Sequence, residues 1–133
     1  MINYKKNYIQ NKSYIKKDFL IIVVSSFLYV INKTVIIRYS RGLINYLFRC
    51  YFNDFLAGLL IITLINILII LAFSKKIGSF FQTMIIILII GLFWEYAPNL
   101  IKENAVSDLW DIVAYEVGGL LYWIIHKGGK KYE

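Results

Sequence analysis

The residues of this sequence best equipped for chemistry are its carboxylates, and they are unevenly spread. Six of the eight acids, Asp54, Glu95, Glu103, Asp108, Asp111 and Glu116, fall in the middle and C-terminal part, while Asp18 and Glu133 lie near the two ends. Asp108, Asp111, Tyr115, Gly118 and Tyr122 are spaced i, i+3, i+7, i+10 and i+14, which on a helix makes one stripe. Such a stripe is expected to face the interior of a bundle, with Gly118 admitting a close backbone, from Gly58 or Gly91. Clustered carboxylates can share protons, attract cations or bind hydroxyls, and as oxygen ligands they suit Mg²⁺, Ca²⁺ or Mn²⁺. Spacing alone defines no metal site here, so no cofactor is assigned. His126 is the only histidine, and no zinc pattern, phosphate loop or serine–histidine pairing accompanies it. It reads as an interfacial residue at a helix end. Cys50 is alone, so it can form no intrachain disulfide and reads as a packing residue. No strong catalytic motif is present, so enzymatic activity is left open, with the balance toward a noncatalytic role.

The elements that must position these acids are apolar. Of 133 residues, 59% are hydrophobic, and the mean hydropathy of +0.63 exceeds what a soluble domain of this size could bury. Four segments approach the roughly 20 residues needed to cross a bilayer: 19–37, 55–73, 80–97 and 109–125. The chain therefore reads as an all-α, single-domain, integral membrane four-helix bundle. Residues 1 to 17 are basic and an apolar run follows from Phe19, but no small-x-small cleavage site closes it, so it reads as a retained first span. Asn32, Lys33 and Thr34 interrupt that span and place its far end near an interface.

The formal net charge is +7, but the cations sit between apolar runs rather than on a folded polar surface, which argues against nucleic acid. With four spans, Lys5, Lys6, Lys12, Lys16, Lys17, Lys75, Lys76, Lys127, Lys130 and Lys131 share one side. Lys33, Arg38, Arg41, Arg49 and Lys102 share the other. The positive-inside rule then puts both termini in the cytoplasm. Trp94, Tyr96 and Trp110 are expected at the outer interface, and Phe80, Phe81, Tyr122 and Trp123 at the inner one.

Between the first two spans, Arg38, Arg41, Asn45 and Arg49 fall within about an 80° wedge at 100° per residue, opposite Leu43, Ile44, Leu47 and Tyr51. This pattern predicts an amphipathic interfacial helix over about 38–53. It serves as a connector lying in the headgroups or as a basic arm for an anionic group. On this topology Asp54 opens the second span, Glu95 ends the third, and Asp108 and Asp111 open the fourth, so carboxylates from three helix ends share one level. Near a helix N-terminus a carboxylate also has a structural use, contributing about 0.3–1 kcal/mol against the helix dipole. Glu116 lies deeper and must be protonated, paired or wet, with Asn66 as a candidate partner.

The stretch GLFWEYAPNLIKENAVSDLWDIVAYEVGGLLY resembles the C-terminal part of the VanZ-like family of small bacterial membrane proteins, named for a teicoplanin-resistance protein. In that family a Glu ends one helix, a Pro-containing loop follows, and the next helix opens with D-x-x-D-x-x-x-N-x-x-G. Glu95, Pro98, Asp108, Asp111 and Gly118 match it. Tyr115 stands where the family usually has Asn, Ala105 where a basic residue is expected, and Pro98 where a Gln is usual. The resemblance implies a role at the outer face of the cell envelope, in lipoglycopeptide resistance or envelope lipid handling. Its site would comprise Glu95, Asp108 and Asp111, supported by Asp54 and Tyr115, with Arg38, Arg41 and Arg49 toward an anionic headgroup. Its partners would be the bilayer and an envelope lipid, lipid-linked group or lipoglycopeptide. Two alternatives stand beside it. One is a metal-dependent hydrolase of a lipid phosphate. The other is a noncatalytic partner or transport component using a Glu116–Asn66 contact.

Overall fold

The computed structural model describes residues 2–101 and 108–127, with side chains from Lys5 onward. Lys102, Glu103, Ala105, Lys130, Lys131 and Glu133 therefore lie outside the described residues, which are all-helical apart from short connections and contain no strand. Helix α1 (Ile2–Ile31) passes through a π-helical turn, Asn32–Ile36, into α2 (Ile37–Tyr39). After a break comes α3 (Leu43–Leu47), which runs through a second π-helical turn, Phe48–Phe52, into α4 (Asn53–Phe73). Helices α5 (Phe80–Ile101) and α6 (Leu109–Lys127) complete the chain.

All four expected segments are helical, and three helical stretches, Lys5–Tyr39, Leu43–Phe73 and Phe80–Ile101, are long and apolar enough to cross a membrane. Helix α6 is not among them, because Asp111, Glu116 and His126 dilute its apolar content. The basic N-terminal segment is itself helical from Ile2, continuous with the apolar run that follows.

Three expectations need correction. The separate amphipathic helix over 38–53 does not form: its first residues finish the helical stretch that ends at Tyr39, and the rest, from Leu43, begin the one that ends at Phe73. The chain turns between them at Gly42, whose φ of +69° and ψ of −139° an L side chain rarely adopts. Asparagine side chains hold this turn. Asn45 Nδ2 donates to the carbonyls of Ile37 (2.6 Å) and Ser40 (3.1 Å), and Asn32 Nδ2 to the Phe48 carbonyl (3.0 Å) and Asn53 Oδ1 (2.9 Å). Second, Asp54 consequently lies inside a continuous helix rather than at its opening, so it meets no free helix amides. Third, α5 continues past Glu95 through Pro98 to Ile101, so Glu95 does not end the helix and Pro98 is not in a loop. A proline this near a helix end removes one backbone hydrogen bond and can be carried there.

Helix α6 lies between α4 and α5, and α1 packs on α4. The core gathers Ile21, Leu59, Ile62, Ile87, Tyr115 and Tyr122. The α4–α6 contact is the tightest. A Cβ at Gly118 would come within 3.0 Å of the Leu59 nitrogen, and one at Gly58 within 3.0 Å of the Tyr115 Cα. Of the two glycines expected opposite Gly118, the structure selects Gly58; Gly91 instead faces the Tyr115 and Ile112 side chains. The α6 stripe faces inward as expected, with Tyr115, Gly118 and Tyr122 buried. Tyr122, at 1% exposure, is thus a core residue and not an interfacial one.

Candidate functional site

At one end of the bundle α4, α5 and α6 bring the expected carboxylates together. Asp108 precedes the first residue of α6 and caps it, its Oδ1 accepting from the Trp110 N–H at 3.0 Å. Its own N–H donates to Glu95 Oε2 of α5 (3.2 Å), and its Oδ2 accepts from the Tyr51 hydroxyl at 3.3 Å. One turn further along, Asp111 lies close enough to Asp54 of α4 and Glu95 of α5 to interact electrostatically with both. The Tyr115 hydroxyl donates to Asp54 Oδ1 at 3.2 Å. Asp54, Glu95, Asp108, Asp111 and Tyr115 therefore form one carboxylate network, hydrogen-bonded as Glu95–Asp108 and Asp54–Tyr115 with Asp111 electrostatically between them, to which the structure adds Tyr51. Tyr51 belongs to the π-helical turn before α4, and its distance from Asp108 in sequence conceals it from pattern reading.

The remaining expected residues stand apart from this network. Arg38, Arg41 and Arg49 are exposed and make no ion pair with a carboxylate among the described residues, so the acids are not neutralised by them. Glu116 is half-buried and has no hydrogen bond to Asn66, because Asn66 is engaged elsewhere. Among the described residues no three histidine, cysteine or acidic side chains are grouped to hold a metal ion. Cys50 is a half-buried free thiol.

A second polar cluster, which sequence reading did not anticipate, lies at the opposite end. Asp18 of α1 is fully buried. Its Oδ2 accepts from Asn66 Nδ2 of α4 at 2.7 Å, and its Oδ1 from the Tyr122 hydroxyl of α6 at 3.4 Å. His126 Nε2 stands 2.8 Å from Asp18 Oδ1, an ion-pair separation, but without the alignment of a hydrogen bond. His126 Nδ1 lies 3.0 Å from the Tyr122 carbonyl, which can only accept, so Nδ1 carries a proton. Asn66 Oδ1 accepts the Ile77 N–H at 2.8 Å and so ties the α4–α5 connection to the same cluster. Tyr14 stacks with His126 at 5.8 Å between centroids, and Lys76 donates to the Tyr14 hydroxyl. The one available signal was an acid at the start of an apolar run and a histidine at the end of another, each innocuous alone.

The fold defines an all-helical protein with several helices of membrane-crossing length and a polar cluster at each end. No protein-family model, curated protein or solved structure matches the chain.

Proposed function

We propose that this chain is a four-span, VanZ-like protein of the cell membrane, with both termini in the cytoplasm and the carboxylate network at the outer face. There it engages an envelope lipid, a lipid-linked group or a membrane-inserted lipoglycopeptide. The observation that carries this reading is the meeting of Asp54, Glu95, Asp108 and Asp111 from three helices, with the Tyr51 and Tyr115 hydroxyls on two of them. Carboxylates joined in this way offer negative charge to an amine and acceptors to sugar hydroxyls. Arg38, Arg41 and Arg49, exposed in and beside the turn at that end, supply charge for an anionic headgroup. The orientation rests on the lysines, including Lys5, Lys6, Lys12, Lys16, Lys17, Lys75, Lys76 and Lys127, gathered toward the other end. Helix α6 qualifies as the fourth span because Asp111, Tyr115 and Tyr122 turn inward while Val113, Val117 and Ile124 are exposed.

Two measurements test this. In intact cells, with Cys50→Ala as background, a membrane-impermeant thiol reagent is expected to label Leu100→Cys and Arg41→Cys but not Lys75→Cys. Labelling of Lys75→Cys alone reverses the orientation and removes the outer site. Expression of the wild-type chain in a sensitive host is expected to lower teicoplanin susceptibility, and Asp111→Asn to abolish that effect at equal membrane abundance. Equal susceptibility with and without the wild-type chain excludes the resistance role.

A further inference from the structure

His126 and Tyr122, which hold Asp18 on their buried side, also line a partly open space that the carboxylate network at the other end does not involve. This cavity, of about 260 Å³, is bounded by Lys76, Gly78, Phe80, Trp123, His126 and Lys127. Its floor is polar and buried: Thr83 and Tyr122 are each 1% exposed and His126 is 9% exposed, and all three line it. Its side is aromatic, with Phe80 and Trp123 packed edge to face at 5.2 Å. Two ammonium groups stand over aromatic rings of the lining, Lys76 Nζ at 3.7 Å from the Tyr14 centroid and Lys127 Nζ at 4.8 Å from that of Trp123. Neither lysine is paired with a carboxylate among the described residues.

The charge lining the cavity is therefore of one sign. Asp18, which contacts two of the lining residues, does not itself line it; the carboxylate is fully buried and engaged by Asn66, Tyr122 and His126. An ammonium has three donors, and Lys76 directs one at the Tyr14 hydroxyl, leaving two. A cavity with cations at its rim, aromatic walls and no acid in its lining suits an anion attached to an apolar body. We propose that it is a binding site for a phosphoryl group, held by Lys76 and Lys127, with the phosphate's organic substituent against Phe80 and Trp123. The source is a phospholipid headgroup of the lysine-rich side of the membrane or a soluble phosphate ester. This site does not depend on the carboxylate network at the other end.

The test uses the full chain in detergent, with Trp94→Phe and Trp110→Phe so that Trp123 alone fluoresces. The probes are dioctanoyl phosphatidylglycerol, glycerol 3-phosphate, inorganic phosphate and, as uncharged control, dioctanoylglycerol. The expected result is a saturable change in Trp123 emission with phosphatidylglycerol and none with dioctanoylglycerol. Saturation by phosphatidylglycerol without response to the soluble probes identifies a lipid headgroup as the source; saturation by glycerol 3-phosphate or inorganic phosphate identifies a soluble one. Lys76→Gln with Lys127→Gln should weaken binding roughly tenfold or more. Gly78→Leu is a second variant, because Gly78 lines the cavity and a Cβ there meets nothing within 4 Å, so a longer side chain adds bulk at the cavity's edge without disturbing a packed neighbour. It should abolish binding with the helical circular dichroism unchanged. Absence of saturation with every phosphate probe, or binding indifferent to both substitutions, overturns the proposal.

Discussion

Asp18 shows how much one side chain can carry when three partners converge on it. It joins α1 to both α4 and α6, through Asn66 on one side and Tyr122 and His126 on the other. Replacing it with alanine strands the buried donors of Asn66 and Tyr122 and removes the charge 2.8 Å from His126 Nε2, and losses of this kind run to about 3–5 kcal/mol. Asp18→Ala is accordingly expected to be the most destabilising single change at that end, read as the shift in an SDS-unfolding curve of the detergent-solubilised protein. In a double-mutant cycle, Asp18→Ala and His126→Ala should cost clearly less together than the sum of the two, because each removes what the other leaves unpaired. Strict additivity would mean that the 2.8 Å approach carries no coupling. The carboxylate network at the other end is organised more locally. Tyr115→Phe removes a single hydroxyl donor to Asp54 and keeps the ring, so about 0.5–1.5 kcal/mol is expected by the same measurement. The stripe from Asp108 to Tyr122 was legible from its spacing because i+3 and i+7 relations are local. The union of Asp18 with Tyr122, 104 positions apart, follows no local rule.

At the scale of the helices, packing rather than propensity decides the arrangement. Helices in an apolar solvent gain little from burying more apolar surface and associate through close packing and polar contacts. Gly58 and Gly118 provide the close packing, since a side chain at either would meet backbone of the facing helix. Gly118→Ala should destabilise by about 1–3 kcal/mol as the backbones are forced apart. Gly78→Ala, with open space around it, should be close to neutral, which makes it the control. Comparable losses in the two variants would argue against backbone contact between α4 and α6. Gly42→Ala is expected to cost about 1–3 kcal/mol for a different reason, the strain of its positive φ. The four helical segments were readable from apolar length. The fate of 38–53 was not, because its amphipathic wedge is real whether the residues form their own helix or extend two others. The side-chain bonds of Asn32 and Asn45 across the turn decide it.

The molecule as a whole carries its apolar residues on the outside as well as the inside. Leu68, Leu71, Phe81, Ile89 and Phe93 are all more than half exposed, on helices whose polar residues Asn66, Thr63 and Thr83 are buried. That is the inverse of a water-soluble surface, where contiguous apolar patches of this kind are not tolerated. The protein is expected to stay in the membrane pellet through an alkaline carbonate wash and to precipitate when detergent is withdrawn; release by carbonate would place it on the membrane rather than in it. Hydropathy and cation distribution speak to this scale from sequence alone, because both are sums over residues and need no partner assignments. Helix length, the inward stripe on α6 and the gathering of acids toward one end were legible for the same reason, each being a count or a period along the chain. Tertiary structure alone decided which polar groups meet. It gave Asn66 to Asp18 instead of Glu116, made Tyr122 a core residue, added Tyr51 to the carboxylates, and turned a lone histidine and a lone acid into a buried pair. A buried polar group must find a partner, but several lie within reach on neighbouring helices, and only the rotation and depth at which the helices pack select one.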